Sequence, residues 1–290
     1  GWLWIVDAPG NTLGGSEAGA GNVISGNTRA GRLDGMNATG NVIQGNIIGM
    51  DATATAAMGN SGAGLRLSVG TAGNILGGTA PGEGNIIANC GWHGVVLLAD
   101  AGSQNTIRSN SIFDNGGMGI DLNRDALTLN DDLDEDSGPN GLQNFPVLTA
   151  VASDGGAAVE ATLSSAASAT YSLDFFSNDA CDDSGHGEGK TFLGTASLAT
   201  DAAGSGSTVT SFASVPGSVL TATATDAQGN TSEFSQCVGL TALTLASSPS
   251  TQTVTAGQSV TYTLAATDTF GNAWDATDEG TYEREDGAGE

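Results

Sequence analysis

The stretch "GNTLGGSEAGAGNVISGN", Gly10 to Asn27, returns as "GNILGGTAPGEGNIIANC", Gly73 to Cys90. A finer repeat runs through both copies. "GWLWI" at Gly1, "GRLDG" at Gly31, "GLRLS" at Gly64, "GVVLL" at Gly94 and "GIDL" at Gly119 share one alternating pattern. Between them lie Gly-Asn-apolar-apolar segments at Gly21, Gly40, Gly73 and Gly84, with the variant "NTIRSN" at Asn105 to Asn110. Each interval of roughly 30 residues thus carries about three short strands and no helix signal. Such a unit cannot bury its inward side chains alone, so neighbouring units must stack into a solenoid. The pattern predicts a parallel β-helix.

In that architecture Val23, Ile24, Val42, Ile43, Ile75, Leu76, Ile86, Ile87, Ile107 and Ile112 supply the inward stacks or the strand faces beside them. Asparagines at strand ends, such as Asn27, Asn46, Asn89 and Asn110, are expected to lie above one another at about 4.8 Å and to hydrogen-bond as ladders. Cys90 takes the repeat position of Asn27, where a small buried thiol fits a turn and stays inert.

The phrases "GNVISGN", "GNVIQGNIIGMDATATAAMGN" and "NSIFDNGGMGIDLN" resemble right-handed parallel β-helix repeat proteins of the pectate-lyase-like superfamily, in the form found in large bacterial surface and secreted proteins. The likeness continues through "SGPNGLQNFPVL", "SLDFFSNDACDDSG" and "TATATDAQGNTSEFSQC", text that in such proteins follows the helix as an all-β module. It implies an architecture and leaves the function open, because the superfamily includes lyases, hydrolases, adhesins and plain stalks.

The expected organisation is all-β: a right-handed parallel β-helix over residues 1–145, a β-sandwich over 146–240 and an incomplete immunoglobulin-like segment over 241–290. The sandwich rests on short alternating bursts such as "VEATL", "YSLDFF" and "VLTATATD". Cys181 follows one of these strands and Cys237 ends the domain, so a disulfide between them is expected, which places the chain in an oxidising compartment. In the last segment "TDTFGNA", Thr267 to Ala273, echoes "TDAQGNT", Thr225 to Thr231, and both read as hairpins. A sandwich of this class needs roughly 100 residues, so the segment reads as half a domain.

Seven Lys and Arg against 32 Asp and Glu give a formal charge of −25, which repels phosphate backbones and excludes nucleic acid as a partner. No apolar run approaches the roughly 18 residues of a membrane helix. Acidity and Gly-rich β patterning suit an extracellular or cell-surface protein. The chain enters inside a repeat at Gly1 and reads as a processed form or a piece of something longer.

Three candidate sites emerge. Asp121, Asn123 and Asp125 have the D-x-N-x-D spacing of a calcium loop, with Asp132 at the position of its closing carboxylate and Asn130, Asp131, Asp134 and Asp136 nearby. The alternative is a solvated acidic linker. Trp2, Trp4 and Trp92 recur near one edge of successive coils and serve either contact with another copy or stacking on a glycan. Catalytic residues are few: His93 lies in a turn with no acid in sequence to orient it, and Arg32, Arg66 and Arg108 occupy strands whose side chains are expected to share one outward groove. The reading is a non-enzymatic structural or adhesive subunit of a self-assembling surface filament, copies associating head to tail as terminal strands or solenoid ends of one complete the next, with a carbohydrate-binding adhesin and, behind it, a polysaccharide lyase or hydrolase as the alternatives.

Overall fold

The computed structural model describes residues 2–153 and 156–240, together with the backbone of the short strands Ala246–Ser248, Thr263–Thr267 and Ala273–Trp274. The chain is all-β. Its first part winds through three parallel sheets, taking one strand from each per coil. One sheet stacks Leu3–Val6, Gly31–Asp34, Leu65–Ser68, Val95–Leu98 and Ile120–Asn123. The second stacks Thr12–Gly14, Val42–Gln44, Ile75–Gly77 and Thr106–Arg108, and the third Val23–Ile24, Ile47–Ile48, Ile86–Ala88 and Ser111–Phe113.

Alternation along these strands decides which side chains enter the core. In the five-stranded sheet Ile5, Leu33, Leu67, Leu97 and Leu122 lie in register and are buried, as are Ile24, Ile43, Ile48, Leu76, Ile87, Ile107 and Ile112 from the other two. Their neighbours Val23 and Ile75 face outward, 48 % and 41 % exposed. The Gly-Asn-apolar-apolar motif therefore contributes its second apolar residue to the core.

The asparagine of that motif precedes its strand. Three ladders result, each running up one corner of the coil. Asn11, Asn41, Asn74, Asn105 and Asn140 form the first, and Asn22, Asn46, Asn85 and Asn110 the second. The third runs from Asn27 to Asn60, continues through Cys90 and Asn115, and ends on Glu188. In a regular step the backbone N–H and Nδ2 of one asparagine both donate to the Oδ1 of the next, as Asn46 does to Asn85 at 3.0 and 2.9 Å. Asn46 and Asn110 share a ladder, but Asn89 does not join it. Its φ of 52° turns its side chain toward Met50, and Asn85 holds the ladder position instead. Cys90 stands in register with Asn60 and Asn115, and burial pushes its thiol up to about 11.

The second part packs two antiparallel sheets face to face. Val147–Ser153, Gly156–Ser164 and Ser205–Phe212 make one; Thr191–Ala199, Thr170–Asn178, Val219–Thr225 and Val238–Gly239 make the other. Leu163, Tyr171, Leu173, Phe175, Leu198, Leu220 and Ala222 fill the space between. Cys181 and Cys237 are joined by a disulfide. The "TDAQGNT" turn closes with Thr225 bridged to Thr231 and Gly229 at φ 96°. In the last segment Thr267 pairs with Ala273 as its hairpin requires, but the rest of the expected half-domain, and the completion of one copy by another's terminal strands, lie outside the described residues.

Strands Thr170–Asn178 and Val219–Thr225 are buried on both faces. One face belongs to the sandwich core. The other closes the end of the solenoid, where Phe176 and Phe234 join the solenoid's own aliphatic cluster. The last strand of each solenoid sheet would otherwise present open N–H groups there. Each receives an acceptor from the sandwich: Ile107 N–H donates to Thr231 Oγ1 at 3.0 Å, Ile112 N–H to the Gly189 carbonyl at 2.8 Å, and Leu122 N–H to Glu233 Oε1 at 2.8 Å.

The Asn74 Oδ1 accepts from two buried donors of Asn41, at 3.0 and 2.9 Å. Replacing Asn74 by Ala strands both, so Asn74→Ala is expected to lower stability by about 2–4 kcal/mol in chemical denaturation. The same measurement on Gln44→Ala, whose side chain donates to a single carbonyl from a partly buried position, should show a smaller loss.

Candidate functional site

The outer side of the five-stranded sheet gathers Arg29, Arg32, Arg66 and Arg124, four of the chain's seven basic residues, with Trp2, Trp4 and Trp92. Trp4, Arg32, Arg66, Val96 and Asp121 occupy one row in register. Trp2 stacks on Trp4 with ring centroids 5.3 Å apart. Arg29 lies over the Trp2 ring at 5.8 Å, Arg32 over Trp4 at 5.2 Å and Arg124 over Trp92 at 4.8 Å, so three tryptophans each hold a guanidinium. Asp34, in the next outward row, takes a 2.6 Å bond from Trp4 Nε1 and is held by Arg32 and Ser68. Burial opposes its ionisation, but these hydrogen bonds outweigh it and keep its carboxyl below the usual range. Burial, then the adjacent Arg32, with Arg124 and Arg29 behind it, lowers the pKa of Arg66. Its Nε is shielded and has no partner.

Two corrections concern this face. Arg108 does not join Arg32 and Arg66. It lies in the second sheet, where its guanidinium grips the buried Asp174 of the sandwich at 3.0 and 2.5 Å. His93 does have an acid beside it: Asp121, distant in sequence, is carried by the parallel register to within 3.3 Å of Nε2. The pair lies on the outward row but is covered. Asp121 is 1 % exposed and burial pushes it up to about 6, while burial and Arg124 lower His93, whose Nδ1 is shielded and unpartnered.

Asp121, Asp125 and Asp132 are not among the carboxylates that converge within the described residues. Asp121 is held on the strand beside His93, and the chain then turns through positive φ at Asn123, Arg124 and Ala126. Asn123 presents its Nδ2 to Asp125, 2.6 Å away, and Asp132 is exposed at the start of a short 3-10 turn. Among the described residues the carboxylates that converge are Asp131, Asp134 and Asp136, whose ligand atoms lie within 4.8 Å of one another. Asp134 is fixed by Asn144 N–H, Gln143 Nε2 and Ser165 Oγ, and burial pushes it up to about 6. One oxygen each of Asp131 and Asp136 is shielded from solvent without any hydrogen-bond partner. An acidic spacing of x-x and x was visible in sequence, but only the closure of the loop by Gln143 and Asn144 distinguishes it from its neighbours.

Two glutamates at the junction escaped the sequence reading. Glu188 accepts from Asn115 Nδ2 at 2.7 Å and its N–H at 3.1 Å, and Glu233 from Leu122 and Thr128 N–H. Burial pushes Glu188 up to about 7 and Glu233 to about 8. Beside Glu188, a cavity of about 410 Å³ opens next to the disulfide, rimmed by Asp114, Asp179, Asp182 and Asp183. Among the described residues no helix is long and apolar enough to cross a membrane. The sequence matches no known protein family and no curated protein.

Glu188 and Glu233 retain protons in the folded state at pH values where the unfolded chain, with glutamate near 4.5, has released them. The stability they contribute is complete below about pH 4.5 and lost as pH rises through about 7 and 8. The thermal midpoint should accordingly fall between mildly acid and alkaline pH, and the double variant Glu188→Gln/Glu233→Gln should flatten that slope.

Proposed function

We propose that this chain is a non-catalytic structural or adhesive module of an extracellular or cell-surface protein, a short β-helix of the pectate-lyase-like kind closed by a β-sandwich. The observation that carries this reading is the plug. The sandwich gives one acceptor to the last strand of every solenoid sheet and ends two of the three ladders, with Glu188 on one and Thr231 accepting from Asn140 on the other. A buried ion pair between Arg108 and Asp174 adds a link whose loss on either side would leave a buried charge unpaired. Such a junction holds two bodies in a fixed relation, which is what a load-carrying or displaying element needs.

The catalytic alternatives are weaker on chemistry. His93 and Asp121 face each other under cover, and the carboxylate Asp34 is occupied by three donors, so no acid and base converge on open space along the five-stranded sheet. The disulfide and the acidic composition fit an oxidising, extracellular setting. The exposed stack of Trp2 and Trp4, at 41 % and 50 %, favours glycan binding as the second reading.

We also propose that calcium stiffens the link between solenoid and sandwich at Asp131, Asp134 and Asp136. Calcium takes oxygen ligands at about 2.3–2.6 Å, so ligands on opposite sides of the ion stand about 5 Å apart. The 4.8 Å span of the three carboxylates and the two orphaned oxygens fit that requirement.

Purified protein is expected to release no products from pectate, alginate or neutral polysaccharides with or without calcium; appearance of unsaturated or reducing sugars above a heat-treated control would defeat the non-catalytic reading. For the ion, calcium at about a hundred times Kd should stabilise the fold by about 2.7 kcal/mol. Asp136→Asn should abolish the shift and Asp125→Ala should leave it intact. The reverse pattern would return the ion to the Asp121–Asp125 loop.

A further inference from the structure

Four of the chain's seven basic residues, Arg29, Arg32, Arg66 and Arg124, gather with Trp2, Trp4 and Trp92 on the one outward face, on a chain of net charge −25. Arg29 and Arg124 are exposed. The acceptors within this stripe are covered: Asp34 takes bonds from Trp4, Arg32 and Ser68, and Asp121, 1 % exposed, faces His93. Outward it offers the guanidiniums of Arg29 and Arg124 and the ring faces of Trp2 and Trp4. A neutral sugar presents hydroxyls that need acceptors as well as donors. An anionic partner needs only what the stripe has. Trp and Arg are also the residues that dominate the centres of protein interfaces.

The complementary surface is on the same chain. The cavity of about 410 Å³ beside the disulfide is lined by Asp114, Asp179, Asp182, Asp183 and Glu188, and Lys190, the cation in its lining, is paired with Asp179. It lies where the last strand of the third sheet, Ser111–Phe113, meets the sandwich, whereas the stripe lies on the five-stranded sheet. Stripe against stripe or cavity against cavity would repel, and only the unlike pair attracts.

We propose that the Arg–Trp stripe of one copy docks on the acid-lined cavity of a second copy of this chain. The contact is heterologous, so repetition extends it into an open row instead of closing a pair. It deepens the structural reading above by naming the partner and both surfaces, and it is tested by association, which neither the sugar-release assay nor the calcium titration reads.

Sedimentation velocity on the whole chain, without added polysaccharide, should show association that grows with concentration and weakens with salt. The variants Arg29→Glu/Arg124→Glu and Asp179→Arg/Asp183→Arg change exposed side chains, and each alone should weaken self-association by about tenfold or more. Mixed together, the acidic stripe of one meets the basic cavity of the other, and association should return. Circular dichroism confirms that each variant is folded. A wild-type monomer at every concentration overturns the proposal, as do folded variants that associate like wild type or a mixture that fails to recover. If wild type stays monomeric yet binds a uronate or sulfated polymer through Arg29 and Arg124, the stripe belongs to a glycan and the second-copy assignment is wrong.

Discussion

Buried side-chain amides must have partners, and in the solenoid's ladders each amide finds its partner one coil away. The Oδ1 of one asparagine takes two N–H groups from the coil before it, and its own Nδ2 goes to the coil after it and to nearby carbonyls. Asn41, Asn74, Asn85 and Asn105 reach 0 % exposure on these terms. An unpaired buried amide costs free energy comparable to a lost hydrogen bond, so a corner asparagine fixes the vertical register of the coils as firmly as the aliphatic stack inside them. The aliphatic core alone would tolerate a slip of its rows; the ladders do not.

That requirement passes to the end of the stack. The last asparagine of a ladder has donors and no further coil to receive them, and a carboxyl group suits the position because its two oxygens accept and it offers no N–H to be satisfied in turn. Glu188 does this for Asn115. The demand also explains why two sandwich strands bury both faces: one side packs Phe175, Leu220 and Ala222 into the sandwich, while the other brings Phe176, Asp174 and Thr221 against the solenoid or the loop that lines it. The raised carboxyls at this junction are the electrostatic cost of burying acceptors.

The periodicity of the sequence carried the solenoid, its three strands per coil and the position of Cys90, because stacking forces like residues to like places. Alternation carried the sandwich and, with the Cys positions, its disulfide. What was not legible depended on contacts between distant segments. Asp121 meets His93 only through the parallel register of two strands, and Arg108 lies in the second sheet, where its partner is Asp174 of the sandwich. Asn89 looked like a ladder residue by its place at a strand end; Asn85, one residue before the strand, has the geometry. The spacing of Asp121, Asn123 and Asp125 did not show that Asp121 would face His93 or that Asp131, Asp134 and Asp136 would be the carboxylates to converge.

The terminating groups sit in the sandwich and not in a specialised last coil. Every coil brings its own set of donors and acceptors, so removing or adding a whole coil leaves the same chemistry at the plug. Length is therefore a free variable of this architecture: the reach of the rod can change in steps of about 4.8 Å while the domain at its end keeps the same seat.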